Sequence, residues 1–306
     1  MIDDQVRTIW RDLAGPTQAA LATAHEEFVR DGVTCVRNVI DPKWIEALRT
    51  GVDRAETDPS EFFVDLTDAK GEFGEAAKKR SFWGDFSLWQ RFDEFRGFMF
   101  DSPLSAIAAA ATGSPRVRLF YDYLLVKEPA PGTGTPWHQD YPYYPIVGSD
   151  VCSIWVALDR TTLENGGLEY VAGSHKWGGC IDRNSFKGAA SEHLTAEEKA
   201  EIAAFEATVS DLPDIEAARG DYRIVSWDLN PGDVLIHHCM AVHGAPQNKG
   251  TAIRRGYAVR WMYGDLTYAP RATPSRPLLS LIEGGEHPVG KGQVIQGPNF
   301  PEFVVD

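Results

Sequence analysis

The sequence predicts a mainly β fold, a sandwich or barrel flanked by helices, and three observations carry that prediction. From Val117 onward, short strand-like runs such as 119–127 and 151–159 alternate with Gly, Pro and Asn turns. Before Val117 the apolar residues recur mostly at helical spacing. One polar, helical stretch, 182–222, interrupts the strands. A chain of 306 residues with 43% hydrophobic residues can bury a sizeable core as one unit.

Residues 3–30 read as helical, with Leu21, Ala24, His25 and Phe28 at helical spacing before the Asp31-Gly32 break. Residues 33–40 then read as a strand. Asp41-Pro42 supplies an N-cap and a first-turn proline, and Ile45, Leu48, Val52 and Ala55 give the following helix one apolar face, fit to brace a sheet. Aromatic residues crowd 59–100, and packing is favoured there over a substrate mouth. Ser102-Pro103 starts another helix, which Gly113 caps. Within 182–222, Thr195 and Glu198 form a capping box ahead of Ile202, Phe205 and Val209; the insertion is either a lid over the barrel mouth or a peripheral decoration. After Trp261, recurrent Pro and Gly indicate a wrapping arm with little regular structure. The expected organisation is a single domain over 1–306: a mainly helical support over 1–116, a β core over 117–265 and an arm over 266–306.

A net charge of −14 argues against nucleic acid or an anionic membrane as partner, since both attract basic patches. Met1-Ile2-Asp3-Asp4 lacks the basic and apolar regions of a leader, so the expected location is cytoplasmic. Cys35, Cys152, Cys180 and Cys239 form no Cys-x-x-Cys pair and read as buried reduced thiols. The expected partner is a small-molecule substrate, and the chain itself a monomer or homodimer.

The chain centres on residues 135–145, Thr-Pro-Trp-His-Gln-Asp-Tyr-Pro-Tyr-Tyr-Pro. After a Pro/Gly-rich turn, the His-Gln-Asp triplet is expected to open an extended segment, which puts His138 and Asp140 on one face and turns Gln139 away. An imidazole and a carboxylate so placed supply two ligands to a divalent metal. A third would complete the facial two-His-one-carboxylate set that suits non-haem Fe(II). Alone, the triplet is commonplace. Downstream, Asn230-Pro231-Gly232-Asp233 reads as a turn, followed by an apolar strand bearing His237 and His238, a strand ending on His243, and a strand carrying Arg254.

HQD at 138–140, PGDVLIHHCMAVHGAPQN at 231–248 and IRRGYAVRW at 253–261 together resemble the phytanoyl-CoA dioxygenase family of Fe(II)/2-oxoglutarate oxygenases. Residues 151–159 and 164–176 resemble that family's core strands and its Gly-Ser-His turn, so the likeness spans the middle of the chain. The resemblance implies a double-stranded β-helix, a jelly-roll, cupin-like core. It also implies Fe(II) held by His138, Asp140 and His243, with 2-oxoglutarate and O2 as co-substrates. His243 is preferred to His237 and His238 because His243-Gly244-x-Pro246-x-Asn248 matches the family's second-histidine motif.

Arg254, eleven positions after His243, stands where the family places the arginine that grips the distal carboxylate of 2-oxoglutarate. A planar, always charged guanidinium suits that task. Alternation agrees: Arg254 shares a face with Gly256 and Ala258, small residues that leave room for a ligand, whereas Arg255 shares one with Tyr257, Val259 and Trp261. Tyr123 and Trp155 stand where relatives contact 2-oxoglutarate, with an O–H and an N–H to offer. Ala245 stands where some relatives present a hydroxyl, so another group must supply that donor.

The implied reaction is hydroxylation of an unactivated C–H bond of a small or medium metabolite, with release of succinate and CO2. Asp140 argues against halogenation, because chlorinating relatives replace this carboxylate with a small residue. Two other classes compete: a cupin-like metalloenzyme that uses no 2-oxo acid, in which Arg254 is needless, and a catalytically inactive ligand-binding barrel, in which the full ligand set is needless. Candidate substrate contacts are Tyr141, Tyr143, Tyr144, Trp83, Phe86 and the 182–222 insertion.

Overall fold

The computed structural model describes residues 7–9, 15–67, 72–73, 80–129, 132–182, 195–271, 274–284 and 286–305. Two mostly antiparallel sheets form the core. The path of the larger runs Val33–Val36, Val234–His238, Val151–Ala157, Arg254–Met262, Arg116–Lys127, Phe82–Phe86, Val64–Asp65, Glu72–Phe73. The smaller runs Ile224–Ser226, Glu169–Val171, His243–Ala245, Thr135–His138. From Arg116 to Met262 the chain crosses repeatedly between these two sheets, which is the jelly-roll expected.

Alternation along the strands decides what each face meets. On Val151–Ala157, Trp155 and Ala157 turn inward and pack with Leu235, Ala258 and, from the smaller sheet, Tyr170. Ile154 and Val156 turn outward into the main core, beneath Ile45, Leu48, Phe95, Phe98 and Ile107 of the covering helices. The Pro42–Thr57 helix starts as read: the Asp41 carboxylate accepts from the Lys43 N–H at 2.8 Å, and Ile45, Leu48, Val52 and Ala55 are buried. The Leu104–Thr112 helix ends at Gly113 with φ of 71°. Cys35, Cys152 and Cys239 lie outside any disulfide.

The ends depart from expectation. The first helix covers Gly15–Asp31, while Arg7–Ile9 is a strand pairing parallel with Glu302–Val305; 1–6 and 10–14 lie outside the described residues. The N-terminal region is more than a brace, because Val33–Val36 and Phe82–Phe86 are strands of the larger sheet. The tail holds a helix, Arg276–Glu283, whose Pro277 falls in the first turn, where a missing N–H costs no hydrogen bond.

The insertion is anchored rather than free. On its Ala196–Glu206 helix, Phe205 lies 3.7 Å under the Arg271 guanidinium, and Ile215 packs with Val171 of the smaller sheet and with Val242, which precedes the His243–Ala245 strand. Residues 183–194 lie outside the described set. Among the described residues, no helix is long and apolar enough to cross a membrane.

Candidate active site

Strand pairing brings the two motif histidines together. His138, last residue of Thr135–His138, lies directly opposite His243, and their ring centroids are 4.3 Å apart. His138 Nδ1 sits 2.8 Å from the Pro136 carbonyl and His243 Nδ1 2.9 Å from the Ala241 carbonyl. A carbonyl can only accept, so each Nδ1 carries the proton and each Nε2 keeps a lone pair. Both Nε2 atoms approach Asp140 Oδ1, at 3.6 and 3.9 Å. One ligand atom from each of the three residues lies within 4.8 Å of the others. Two imidazoles and a carboxylate converging in this way fit a divalent iron.

Asp140 reaches this position by a route the sequence reading did not foresee. The strand stops at His138; Asp140 takes helical angles, φ −74° and ψ −34°, and precedes the Tyr141–Tyr143 turn with Pro142 inside it. The turn, and not strand alternation, swings the carboxylate back beside His138. Gln139 does point away, its side-chain amide donating to the Met240 carbonyl at 2.7 Å. Burial alone would raise the Asp140 carboxyl, but the Arg260 guanidinium, with the His237 imidazole beside it, holds it well below the usual carboxylate range.

Arg254 occupies the buried position expected of it, and Arg255 the peripheral one. Arg255 forms a two-point pair with Asp159, at 2.7 and 2.9 Å. Arg254 is 2% exposed, donates to the Gly166 carbonyl at 2.9 Å and approaches that of Leu125 at 3.4 Å, and its Nε has no partner. Among the described residues no carboxylate pairs with it, and burial pulls its pKa down to about 10. Its cross-strand neighbour Lys127, also buried, bonds the Pro246 and Ala245 carbonyls. Burial beside Arg254 pulls the Lys127 pKa well down, and a buried guanidinium without an anion is costly unless a ligand supplies one.

Trp155 lies beside Arg254, its ring 5.5 Å from the guanidinium carbon, and its indole N–H is buried without a protein acceptor. One expectation fails here. Gly256 leaves no room for a ligand, because the Trp155 ring fills the space above it and a Cβ would collide with that ring.

These groups line one cavity of about 280 Å³, which includes His138, Asp140, His243, Arg254, Tyr123, Trp155 and Ala258. Val64, Leu66, Phe82 and Phe86 form an apolar wall, and residues 274–277 of the C-terminal arm close another side. Tyr123 stacks on Phe86 with centroids 3.8 Å apart. Of the candidate substrate contacts, Phe86, Tyr143 and Tyr144 line the cavity. Trp83 is instead buried against Phe63, and Tyr141 packs on Phe205. No described residue of 182–222 lies on the lining. The sequence reading missed His237 and Arg260, which both line it.

A sequence profile of the phytanoyl-CoA dioxygenase family matches residues 28–256, well over half of the chain. The chain belongs to the phytanoyl-CoA dioxygenase family. A probable alpha-ketoglutarate-dependent hypophosphite dioxygenase of Stutzerimonas stutzeri is 28% identical over 46% of this chain and 45% of its own length. Human peroxisomal phytanoyl-CoA dioxygenase is 24% identical over 79% of this chain and 68% of that protein. The chain thus spans less than half of the first relative and about two thirds of the second.

Solved structures agree on the fold. The alpha-ketoglutarate-dependent carbocyclase SnoK of nogalamycin biosynthesis superposes with a TM-score of 0.68 at 22% identity, covering 98% of this chain and all of that one. The epimerase SnoN, in complex with Fe3+, alpha-ketoglutarate and nogalamycin RO, gives 0.68 at 22% identity over 93% of this chain and 98% of its own.

Proposed function

We propose that this member of the phytanoyl-CoA dioxygenase family hydroxylates an unactivated C–H bond of a small or medium metabolite, consuming 2-oxoglutarate and O2 and releasing succinate and CO2. The observation that carries this reading is one cavity that holds both a two-His-one-Asp cluster and a buried arginine without an anion. In this reading His138 Nε2, His243 Nε2 and Asp140 hold Fe(II), and Arg254 grips the distal carboxylate of 2-oxoglutarate. With 2-oxoglutarate as the electron donor and O2 as the oxidant, bound iron would supply the oxidising power to take a hydrogen atom from carbon.

The chain's own residues do the rest. The Pro136 and Ala241 carbonyls fix both imidazole rings, so their Nε2 lone pairs face one point. Trp155 offers its unused indole N–H to the co-substrate and serves as the donor that Ala245 does not provide. Tyr123, braced against Phe86, offers its hydroxyl on the same side. Val64, Leu66, Phe82 and Phe86 exclude water and receive the prime substrate's apolar surface.

A second reading has a specific basis, since the neighbours of similar fold include a carbocyclase and an epimerase. Product mass separates the outcomes: hydroxylation adds one oxygen, ring closure removes two hydrogens, and epimerisation leaves the mass unchanged. Screening a metabolite library for succinate release, then weighing the product, tests the proposal. Substrate-dependent succinate with a product heavier by one oxygen is expected; succinate formation that no substrate stimulates, in a library spanning apolar metabolites, contradicts it.

A further inference from the structure

We infer that Tyr144, Arg260 and His237 form a clamp on Oδ2 of Asp140, positioning residues that keep this carboxylate a one-oxygen ligand. The inference rests on the metal-site reading above and adds three residues to it. Its basis is strand register. His237 lies opposite Ser153, Ser153 opposite Arg260, and Arg260 opposite Tyr121, so one row across four strands of the larger sheet sets an imidazole, a guanidinium and a phenol on the cavity side. Tyr144 comes from the far side, just after the turn that carries Asp140, and its hydroxyl also meets that of Tyr121 at 3.3 Å.

The two oxygens of Asp140 are treated differently. Oδ1 faces the two motif histidines. Oδ2 accepts from the Tyr144 hydroxyl at 3.0 Å, with Arg260 Nη2 at 3.5 Å and His237 Nε2 at 3.7 Å. Tyr144 therefore acts by a hydrogen bond, while Arg260 and His237 act mainly through charge and dipole at slightly longer range. All three are buried, with Arg260 only 6% exposed, so little water screens them.

The proton on His237 can be placed. The buried Tyr170 hydroxyl lies 3.1 Å from His237 Nδ1. If it donates there, Nδ1 is the acceptor and Nε2 carries the hydrogen, aimed at Asp140. The opposite tautomer would strand the Tyr170 hydrogen and set a bare nitrogen lone pair against a carboxylate. Tyr170 thus orients His237, and His237 helps orient Asp140.

An unrestrained carboxylate can close on a metal with both oxygens and occupy an extra position. Holding Oδ2 keeps that position available for the bidentate 2-oxo acid and O2. Partners of this kind are typically worth about 10–100-fold in metal affinity.

Co(II), whose visible spectrum reports coordination number, is the probe. Titrated into the whole protein, it should bind Arg260→Gln about 10–100-fold more weakly than wild type, with a spectrum displaced towards higher coordination. Tyr144→Phe, which keeps the ring and removes only the hydroxyl, should move both readouts the same way by less. Arg260→Lys should recover most of the wild-type spectrum. Without metal, Arg260→Gln should lower the melting temperature, and should cease to do so in an Asp140→Asn background. Wild-type affinity and spectrum in both Arg260→Gln and Tyr144→Phe would overturn the clamp while leaving the metal site standing. Failure of the wild type itself to take up Co(II) would overturn both.

Discussion

Arg254 and Arg260 stand six residues apart on one strand, both buried and both facing the same cavity, yet their surroundings are opposites. Arg260 lies 3.5 Å from the Asp140 carboxylate and over the Tyr121 ring. Among the described residues, Arg254 meets carbonyl oxygens and the Trp155 face. A charge the protein itself neutralises is part of its architecture. A charge the protein leaves open marks where a ligand must bring the opposite sign, at a cost to the empty protein.

The largest effect that would break this contrast is on stability. Arg260→Met leaves Asp140 buried without its nearest cation and should cost about 3–5 kcal/mol of metal-free stability by denaturant titration. A loss below about 1 kcal/mol would place Arg260 with Arg254 as an open charge. Arg254→Met should do the reverse. It removes a charge with no partner, so metal-free stability should hold or rise, while 2-oxoglutarate affinity falls by about 2–5 kcal/mol, from tens-fold to thousands-fold. Calorimetric titration and thermal melts on the one variant read both signs.

Between the two arginines, Gly256→Ala sharpens the comparison. The new methyl meets the Trp155 ring, and overpacking of this kind costs about 1–3 kcal/mol. Because Trp155 shifts towards Arg254, 2-oxoglutarate binding should weaken as well, which a melt alongside a binding titration would show. The smallest effect on binding belongs to Arg255→Gln. Its two-point pair with Asp159 is largely buried but lies outside the cavity, so stability should fall by about 1–3 kcal/mol, with no change in 2-oxoglutarate affinity.

The same strand explains what the sequence disclosed. Alternation singles out Arg254 from Arg255, and the structure seats them accordingly. The rule, carried two residues past Ala258, also puts Arg260 on the cavity face, so that signal was present and unused. His237 was harder to read. It shares its face with Leu235, a packing residue, and its importance comes from register against Ser153, a long-range pairing that local pattern does not encode. Gly256 misled because a missing side chain does not say whether a ligand or a neighbouring ring fills the gap. The convergence of His138 and Asp140 was anticipated for the wrong geometric reason, since Pro142 promotes a turn where extension was assumed. The strand in the first nine residues and the helix in the Pro-rich tail escaped because their partners lie at the opposite end of the chain or in the cavity wall.

Anaerobic addition of Fe(II) and 2-oxoglutarate, followed by visible absorption, tests the central claim most directly. The account predicts a weak metal-to-ligand charge-transfer band in the wild type, its loss in His138→Ala and His243→Ala, and a demand for far more 2-oxoglutarate in Arg254→Met. A wild type without the band, or a band that persists in His243→Ala, would contradict it.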